Sequence, residues 1–484
     1  MKKVFLILLI FTNISCSLKN TNNATEQLVI EDLNYFQELI ESAYVCYDEI
    51  NKQTRIQIDK QNMLTLYNKN VKRREKKNFT DSFENGINQE ALVIPLYLFF
   101  QKYNFADGHL CICTKDNNWF PSLKYWYYYS DFYFKKSGNE FFVYDSPNKK
   151  LEGQKYTDNY DNLKRTVKNN EVVYVFAPIL PGPYNSTKIN ISNKNYKIPI
   201  YENPRFKNNN PLSFLESNNS LYIRISSFNF IEGTENDRIF KNNLLKVSNL
   251  IKNKKYIIID IRGNSGGVEY YPRRLLEKLY NNGDDSKNDT ISIFLNKADN
   301  GLIELHSDTI HKQEYVNSLA SNQSEKMINY FKEEYEFQLE KEKRYYTFSS
   351  RITNTLSQYD FSLTTSSIIV ITDNYTASMA EKFIGYLYML NKNNITIIGE
   401  NTSGSLTYGG NIEYELPNSR IKLVLASQSY KNTEILNFVD SWHGENHGFY
   451  PDYWFVNNNL SELLYYLTSD EELKELFIEE NSSP

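Results

Sequence analysis

The 484-residue chain contains little cysteine and histidine, with 4 Cys and 5 His. Three cysteines follow Cys16, namely Cys46, Cys111 and Cys113, and an odd number does not indicate a disulfide framework. No second Cys or His cluster lies near them in the sequence, so zinc binding is not indicated. We expect all three to be small buried side chains.

Several common site motifs are also missing. The sequence has no GxGxxG, which argues against a dinucleotide site, and no HExxH, which argues against a zinc site on a helix. His443, Glu445 and His447 lie in a Gly-Asn loop without that spacing, and we predict neither a metal nor an organic cofactor. A net charge of −5 with both signs interspersed leaves no basic face, so nucleic acid is not an expected partner.

The first residues, "MKKVFLILLIFTNISC", contain an apolar run that is too short to span a bilayer. Two lysines, this run and a small-residue end are typical of a signal peptide, predicted here for residues 1–16. Cys16, preceded by Ser15, resembles the acylated cysteine of a bacterial lipobox, although Asn13 replaces the usual leucine. We expect an exported protein of a bacterial cell envelope, held to the membrane by lipid at Cys16; an ordinary secretory peptide is the alternative.

What remains has the composition of a globular protein, with 40% hydrophobic residues and room for two or three domains. Residues 17–115 have a helical pattern, and residues 116–206 have short alternating runs that predict a small β-rich module. Residues 207–484 alternate strand and helix, which predicts an α/β domain. A charged stretch at about 297–360 interrupts this alternation and is predicted to be an insertion.

Four segments of the α/β part are turns with unusual glycine and polar residues. "DIRGNSGG" ends a buried strand in a glycine turn, and "NYTASMAE" places Ser378 where a strand passes into a helix. "GENTSGS" and "GENHGFYPD" are the other two. A serine at a helix N-terminus is either a cap or a nucleophile whose neighbour's N–H can hold an oxyanion. It does not lie in a GxSxG motif.

With the strand "LYIRISSF", these segments occur in an order that resembles the catalytic core of the tail-specific, or C-terminal processing, serine peptidases, over about residues 218–455. The resemblance implies a crotonase- or Clp-protease-like α/β core beside a helical region and, in residues 116–206, a PDZ-like module. It further implies that Ser378 is the nucleophile. The backbone N–H groups of Met379 and of Gly266 or Gly267 would then form the oxyanion hole.

The general base requires a separate argument. Members with a Ser-Lys dyad carry lysine in "TxGK", where this chain has "TSGS" and therefore Ser405. "DGH" matches the tricorn-like branch, which implies His109 as the base and Glu445 as its orienting carboxylate. Histidine suits proton transfer near neutral pH.

Alternatives remain open for both roles. Lys382 lies four residues after Ser378 on the same helix face, but a helix lysine is expected to be solvated and protonated. His443 and His447 are rival bases. Asp107 is the alternative orienting group.

The predicted function is that of an exported serine endopeptidase, which cleaves peptide or protein substrates through an acyl-enzyme on Ser378 with His109 as base. One alternative is an inactive peptide- or ligand-binding lipoprotein of the same fold. A crotonase-type enzyme acting on acyl-thioesters is less consistent with export. Composition does not determine the oligomeric state.

Overall fold

A computed structural model describes residues 24–77, 79–122, 124–205, 210–281, 301–306, 345–348, 366–391, 394–433, 440–457 and 459–475. The predicted signal peptide with Cys16 lies outside these residues, as does the 297–360 insertion apart from two strands. No helix within the described ranges is both long and apolar enough to cross a membrane.

The described residues fall into two compact units. The first takes them from the ranges Met1–Leu123, Ile303–Thr347 and Tyr408–Ser429, and the second from Lys124–Leu302, Phe348–Thr407 and Tyr430–Pro484. The first unit therefore includes two segments that lie within the predicted α/β domain. The domain boundaries given above stay predictions.

Helices of the first unit are α1 at residues 24–43, α2 Val45–Thr54, α3 Lys60–Lys76 and α4 Gln89–Lys102. α1 and the residue just beyond it carry a fully buried apolar stripe, at Leu33, Phe36, Leu39, Ile40 and Tyr44. Pro95 does not interrupt α4, which continues through it. Proline removes one backbone donor, and burial of the surrounding side chains offsets that loss.

The strands of this unit are β1 Phe83–Glu84, β2 Ile87–Asn88, β3 Cys111–Cys113, β4 Asn118–Trp119, β16 Gly301–His306, β17 Tyr345–Phe348, β20 Tyr408–Glu415 and β21 Lys422–Thr433. β1 and β2 form a hairpin, and the others form a sheet of order β17-β16-β21-β3-β4 in which β20 also pairs with β21. Apolar side chains of β20 and β21 pack with those of α1 and α4 in one core.

The second unit begins with the β-rich region. Its strands are β5 Trp126–Tyr127, β6 Tyr133–Ser137, β7 Glu140–Asp145, β8 Leu163–Lys168, β9 Glu171–Phe176, β10 Ile179–Leu180, β11 Ser186–Ile191 and β12 Lys194–Pro199. An antiparallel sheet of order β7-β6-β9-β8 lies beside the β11–β12 hairpin. These strands lie within the segment predicted to be a β-rich module, and a PDZ fold stays a prediction.

The rest of the second unit is a six-stranded sheet of order β13-β14-β15-β18-β19-β22. Its strands are β13 Leu212–Glu216, β14 Ser220–Ile225, β15 Tyr256–Asp260, β18 Ser367–Thr372, β19 Ile395–Gly399 and β22 Tyr453–Trp454. Every pairing from β14 to β22 is parallel. The α/β prediction is thus confirmed in its coarse form, and a crotonase-like core stays a prediction.

Helices cover both faces of this sheet. They are α5 Glu235–Leu250, α6 Tyr270–Asn281, α7 Met379–Asn391 and α8 Leu460–Thr468. Ile257 and Ile259 of β15 pack into the core that contains α5, α6 and α7, whereas Ile258 packs into the core that contains α8. Because both faces are buried, the strands are continuously apolar rather than alternating. Thr234 caps α5, accepting the Asp237 N–H at 3.5 Å.

Candidate active site

Ser378 lies in the second unit, between the turn that follows β18 and the first residue of α7. Its φ of 55° is in the left-handed region, which is strained for a residue with a Cβ. An ordinary N-cap residue has an extended backbone. The strand, sharp turn and helix N-terminus around Ser378 instead match the way a nucleophilic serine is presented, although the GxSxG motif is absent.

The glycine turn after β15 packs directly against Ser378. A Cβ added at Gly266 would lie 2.7 Å from the Met379 nitrogen and 2.9 Å from the Ser378 Cβ. The Ala377 N–H donates to the Asn264 carbonyl at 3.0 Å, and this bond joins the two turns. Only a residue without a side chain fits at this approach.

The N–H groups beside Ser378 differ in their partners. The Gly266 N–H donates to the Asn264 side-chain oxygen at 3.0 Å. For the N–H groups of Gly267 and Met379, no acceptor is found among the residues that the structure describes. Met379 is the first residue of α7, where backbone donors lack partners within the helix. Gly267 and Met379 therefore have donors available for an anion.

The Glu381 side chain holds the Ser378 turn through hydrogen bonds. Its fully buried carboxylate accepts the Ser378 N–H at 3.0 Å and the Ser405 N–H at 2.7 Å, both on Oε2. Oε1 accepts the Gly404 N–H at 2.8 Å and the Thr402 hydroxyl. Burial raises the pKa of Glu381, and these hydrogen bonds oppose the rise. Glu381 thus ties the Ser378 turn to the segment that carries Gly404 and Ser405.

Ser405, which occupies the place of a dyad lysine, lies beside Ser378 because both N–H groups share one carboxylate oxygen. Its hydroxyl is 3.3 Å from that of Ser403. The ammonium group of Lys124 donates to the Ser403 hydroxyl at 2.8 Å. A lysine remote in sequence therefore supplies positive charge to this loop.

The last two motifs pack on each other. A Cβ at Gly404 would lie 2.5 Å from the Asn446 nitrogen, and the Phe449 N–H donates to the Thr402 hydroxyl at 2.8 Å. The Glu445 carboxylate accepts the Thr407 N–H at 2.9 Å. The four segments "DIRGNSGG", "NYTASMAE", "GENTSGS" and "GENHGFYPD" thus meet at the carboxyl end of the parallel sheet. Ligands bind at this end in open α/β folds.

The two rival histidines of this loop are stacked on tyrosines. His443 lies 3.6 Å from the Tyr450 ring and His447 lies 4.0 Å from the Tyr125 ring, between ring centres. Burial lowers the pKa of both, and Lys164 and the neighbouring histidine add to the effect at His443. Each ring is thus held against the face of a tyrosine.

Lys382 is buried, contrary to the expectation of a solvated helix lysine. Its ammonium nitrogen lies 3.5 Å from Oε1 of Glu269, which also accepts the Tyr386 hydroxyl at 2.7 Å. The ammonium group of Lys382 therefore contacts a carboxylate of the segment just before α6.

His109 lies in the first unit, where Asp107 fixes its backbone. The Asp107 carboxylate accepts the His109 N–H at 2.9 Å, and its Oδ1 lies 3.8 Å from the ring Nδ1. The Tyr44 hydroxyl donates to the same carboxylate at 3.0 Å. Burial raises the pKa of Asp107 to about 6, although the hydrogen bonds oppose this.

Sequence reasoning did not assign Asn264 or Lys124 to the site. Asn264 lies inside the glycine motif "DIRGNSGG", and that motif draws attention to its position in the sequence. Its hydrogen bond to Gly266 is seen only in the structure. Lys124 carries no motif and reaches Ser403 only through folding.

No protein-family profile matches the chain, and no curated protein matches it significantly. Among solved structures, it is similar to mature CPAF complexed with lactacystin, with 13% identity, a TM-score of 0.39, and coverage of 94% of this chain and 98% of that one. It is also similar to the photosystem II D1 C-terminal processing protease, with 12% identity, a TM-score of 0.32, and coverage of 92% and 98%. Tricorn protease is a third, with 12% identity, a TM-score of 0.28, and coverage of 88% and 36%. Because these identities and TM-scores are low, the case for function rests on the chain's own residues.

Proposed function

We propose that the protein is a serine peptidase with Ser378 as its nucleophile. The observation that carries the proposal is the left-handed Ser378 at a strand-to-helix turn, packed against a glycine turn. The Met379 and Gly267 N–H groups are the proposed oxyanion donors, because the Gly266 N–H already donates to Asn264.

In the proposed reaction, His109 takes the proton of the Ser378 hydroxyl as its oxygen attacks the substrate carbonyl. The oxyanion accepts the two backbone N–H groups. His109 then protonates the leaving amine, and water hydrolyses the acyl-enzyme. The reaction needs no metal or organic cofactor.

The group that orients His109 is proposed to be Glu445, with Asp107 as the alternative. The match of "GENHGFYPD" to the tricorn-like branch supports Glu445, and the 3.8 Å separation from Nδ1 supports Asp107. Loss of the orienting carboxylate costs a large factor in turnover at unchanged geometry. Glu445→Gln should therefore reduce turnover more than Asp107→Asn, and the reverse order would assign the role to Asp107.

The function is tested by offering the protein an unfolded protein as substrate. Cleavage is measured by the appearance of new amino termini on the substrate. Wild type should cleave, and Ser378→Ala should not. Ser137→Ala, an exposed serine on β6, serves as the matched control and should cleave like wild type. Equal cleavage by Ser378→Ala would refute the proposal, whereas peptide binding without cleavage by wild type would indicate the inactive binding lipoprotein.

The proposed location is the cell envelope, with membrane attachment through lipid on Cys16. Expressed in a bacterium, the full chain should partition with membranes and incorporate fatty acid, and Cys16→Ser should do neither. Membrane association of Cys16→Ser at the wild-type level would rule out this anchor.

A further inference from the structure

Cys111 and Cys113 present their sulfur atoms to each other on β3. The two Sγ atoms are 3.3 Å apart, and both are reduced thiols. Residues two apart in a strand lie on the same face, with Cα atoms about 6.6 Å apart. A disulfide tolerates Cα separations up to about 6.8 Å and needs sulfurs about 2.0 Å apart. The bond also needs Cβ atoms about 3.5–4.5 Å apart, so closing it draws the two Cβ atoms together and bends β3 locally.

The two thiols differ in access. Cys113 is half-buried, whereas Cys111 is buried and the intervening Ile112 is fully buried in the core of the first unit. Cys113 is therefore the more accessible residue of the pair. The expectation of three buried cysteines is confirmed for Cys46 and Cys111 but is wrong for Cys113.

The charges around the pair also differ. Lys422 on β21 is the register partner of Cys113, and its ammonium interacts with that thiol, although Glu413 lies 2.7 Å from the same ammonium. Burial, together with the Cys113 sulfur, raises the pKa of Cys111 to about 12. Cys113 is thus the attacking thiol and Cys111 the resolving one.

We propose that Cys111 and Cys113 form a reversible thiol–disulfide site that reacts with small disulfides of the glutathione type. The Cys113 thiolate attacks the reagent, forming a mixed disulfide and releasing one thiolate. The Cys111 thiolate then attacks the Cys113 sulfur and releases the second. Two thiols lose two electrons and two protons, and the reagent is reduced to two thiols.

The test uses oxidised glutathione on the full native chain, followed by alkylation and trypsin. Both cysteines lie in the single tryptic peptide of residues 103–115, "YNFADGHLCICTK", and Cys46 lies in another. Oxidation should lower alkylation of the 103–115 peptide by about tenfold or more and reduce its mass by two hydrogen atoms. Alkylation of the Cys46 peptide after unfolding should not change.

Single variants separate the two steps. Cys111→Ser should retain a stable glutathione adduct on Cys113, and Cys113→Ser should gain no adduct while folded. Two undiminished alkylated thiols in the oxidised wild type would overturn the proposal. An adduct on Cys113→Ser equal to that on Cys111→Ser would also overturn it.

A consequence for activity rests on the proposed function. β3 begins two residues after His109, and the Leu110 N–H donates to the Asp107 carbonyl at 3.2 Å. We expect the disulfide to slow fluorophosphonate labelling of Ser378 in wild type but not in Cys113→Ser. Absence of any Ser378 label would refute the peptidase, while the peptide mapping would still test the thiol site.

Discussion

The Glu381 carboxylate determines how two separate loops meet at Ser378. Its two oxygens accept three backbone N–H groups and one hydroxyl, which uses the acceptor capacity of a carboxylate fully. The spacing of Glu381 three residues after Ser378 is that of a capping box. The sequence indicates this local bond, whereas the bonds to Gly404 and Ser405 depend on folding.

Glu381→Gln should slow fluorophosphonate labelling of Ser378 by about tenfold, equivalent to about 1.4 kcal/mol. The amide NH2 cannot accept a hydrogen bond, so at least one donor at the turn is left buried and unsatisfied. Glu277→Gln, which alters a buried carboxylate paired with Arg274 on α6, is the control and should label normally. Normal labelling of Glu381→Gln would exclude the positioning role.

Glu400 is buried at the carboxyl end of β19, where it accepts the Asn203 side-chain N–H at 2.6 Å. Burial, with Asp373 nearby, raises the pKa of Glu400 from 4.5 to about 7. Between these two values the folded state binds more protons than the unfolded state. Stability therefore falls as pH rises through this window, by about 3 kcal/mol in total, and falls no further above it.

Glu400→Gln should lack this fall, so its urea midpoint relative to wild type should rise between pH 4 and pH 8. The exposed Glu152→Gln is the control and should follow wild type at each pH. A constant difference between Glu400→Gln and wild type across that range would contradict the assigned pKa.

At the scale of elements, strands and helices of the second unit follow the sequence patterns closely. Continuous apolar runs predict β15, β18 and β19, because strands covered on both faces need no polar side. The path of α4 through Pro95 did not follow from the pattern, since tertiary burial outweighs one missing donor. The meeting of two turns at Gly266 could not be predicted, because it depends on strand order in the sheet.

Gly266→Ala should reduce labelling of Ser378 by about a hundredfold, the scale of losing one oxyanion donor. The new Cβ would displace the Met379 nitrogen, which lies 2.7 Å from its position. Gly153→Ala is the matched control, since Gly153 also has a positive φ but no atom within 4 Å of an added Cβ. Both variants carry the backbone strain, so equal labelling by both would show that the Gly266 contact has no role.

At the scale of the molecule, the chain order does not reveal how the units are composed. Residues 408–429 follow the GENTSGS motif in sequence, yet β21 pairs with β3 in the first unit. Strands that are so far apart in the sequence leave no local signal of their pairing. The pairing of β21 with β3 could therefore not be predicted, and residues 408–429 were assigned to the 207–484 domain. The proposed roles of His109 and Glu445 come from motif matches and remain proposals.

Fluorophosphonate labelling, mapped to the tryptic peptide of residues 352–382, tests the central claim that Ser378 is an activated nucleophile. Folded wild type should carry the label on Ser378, and heat-denatured wild type should not. Ser378→Ala should remain unlabelled, and His109→Ala should label about a hundredfold more slowly. Labelling of Ser378→Ala at the wild-type rate, or wild-type label on another residue, would contradict the account.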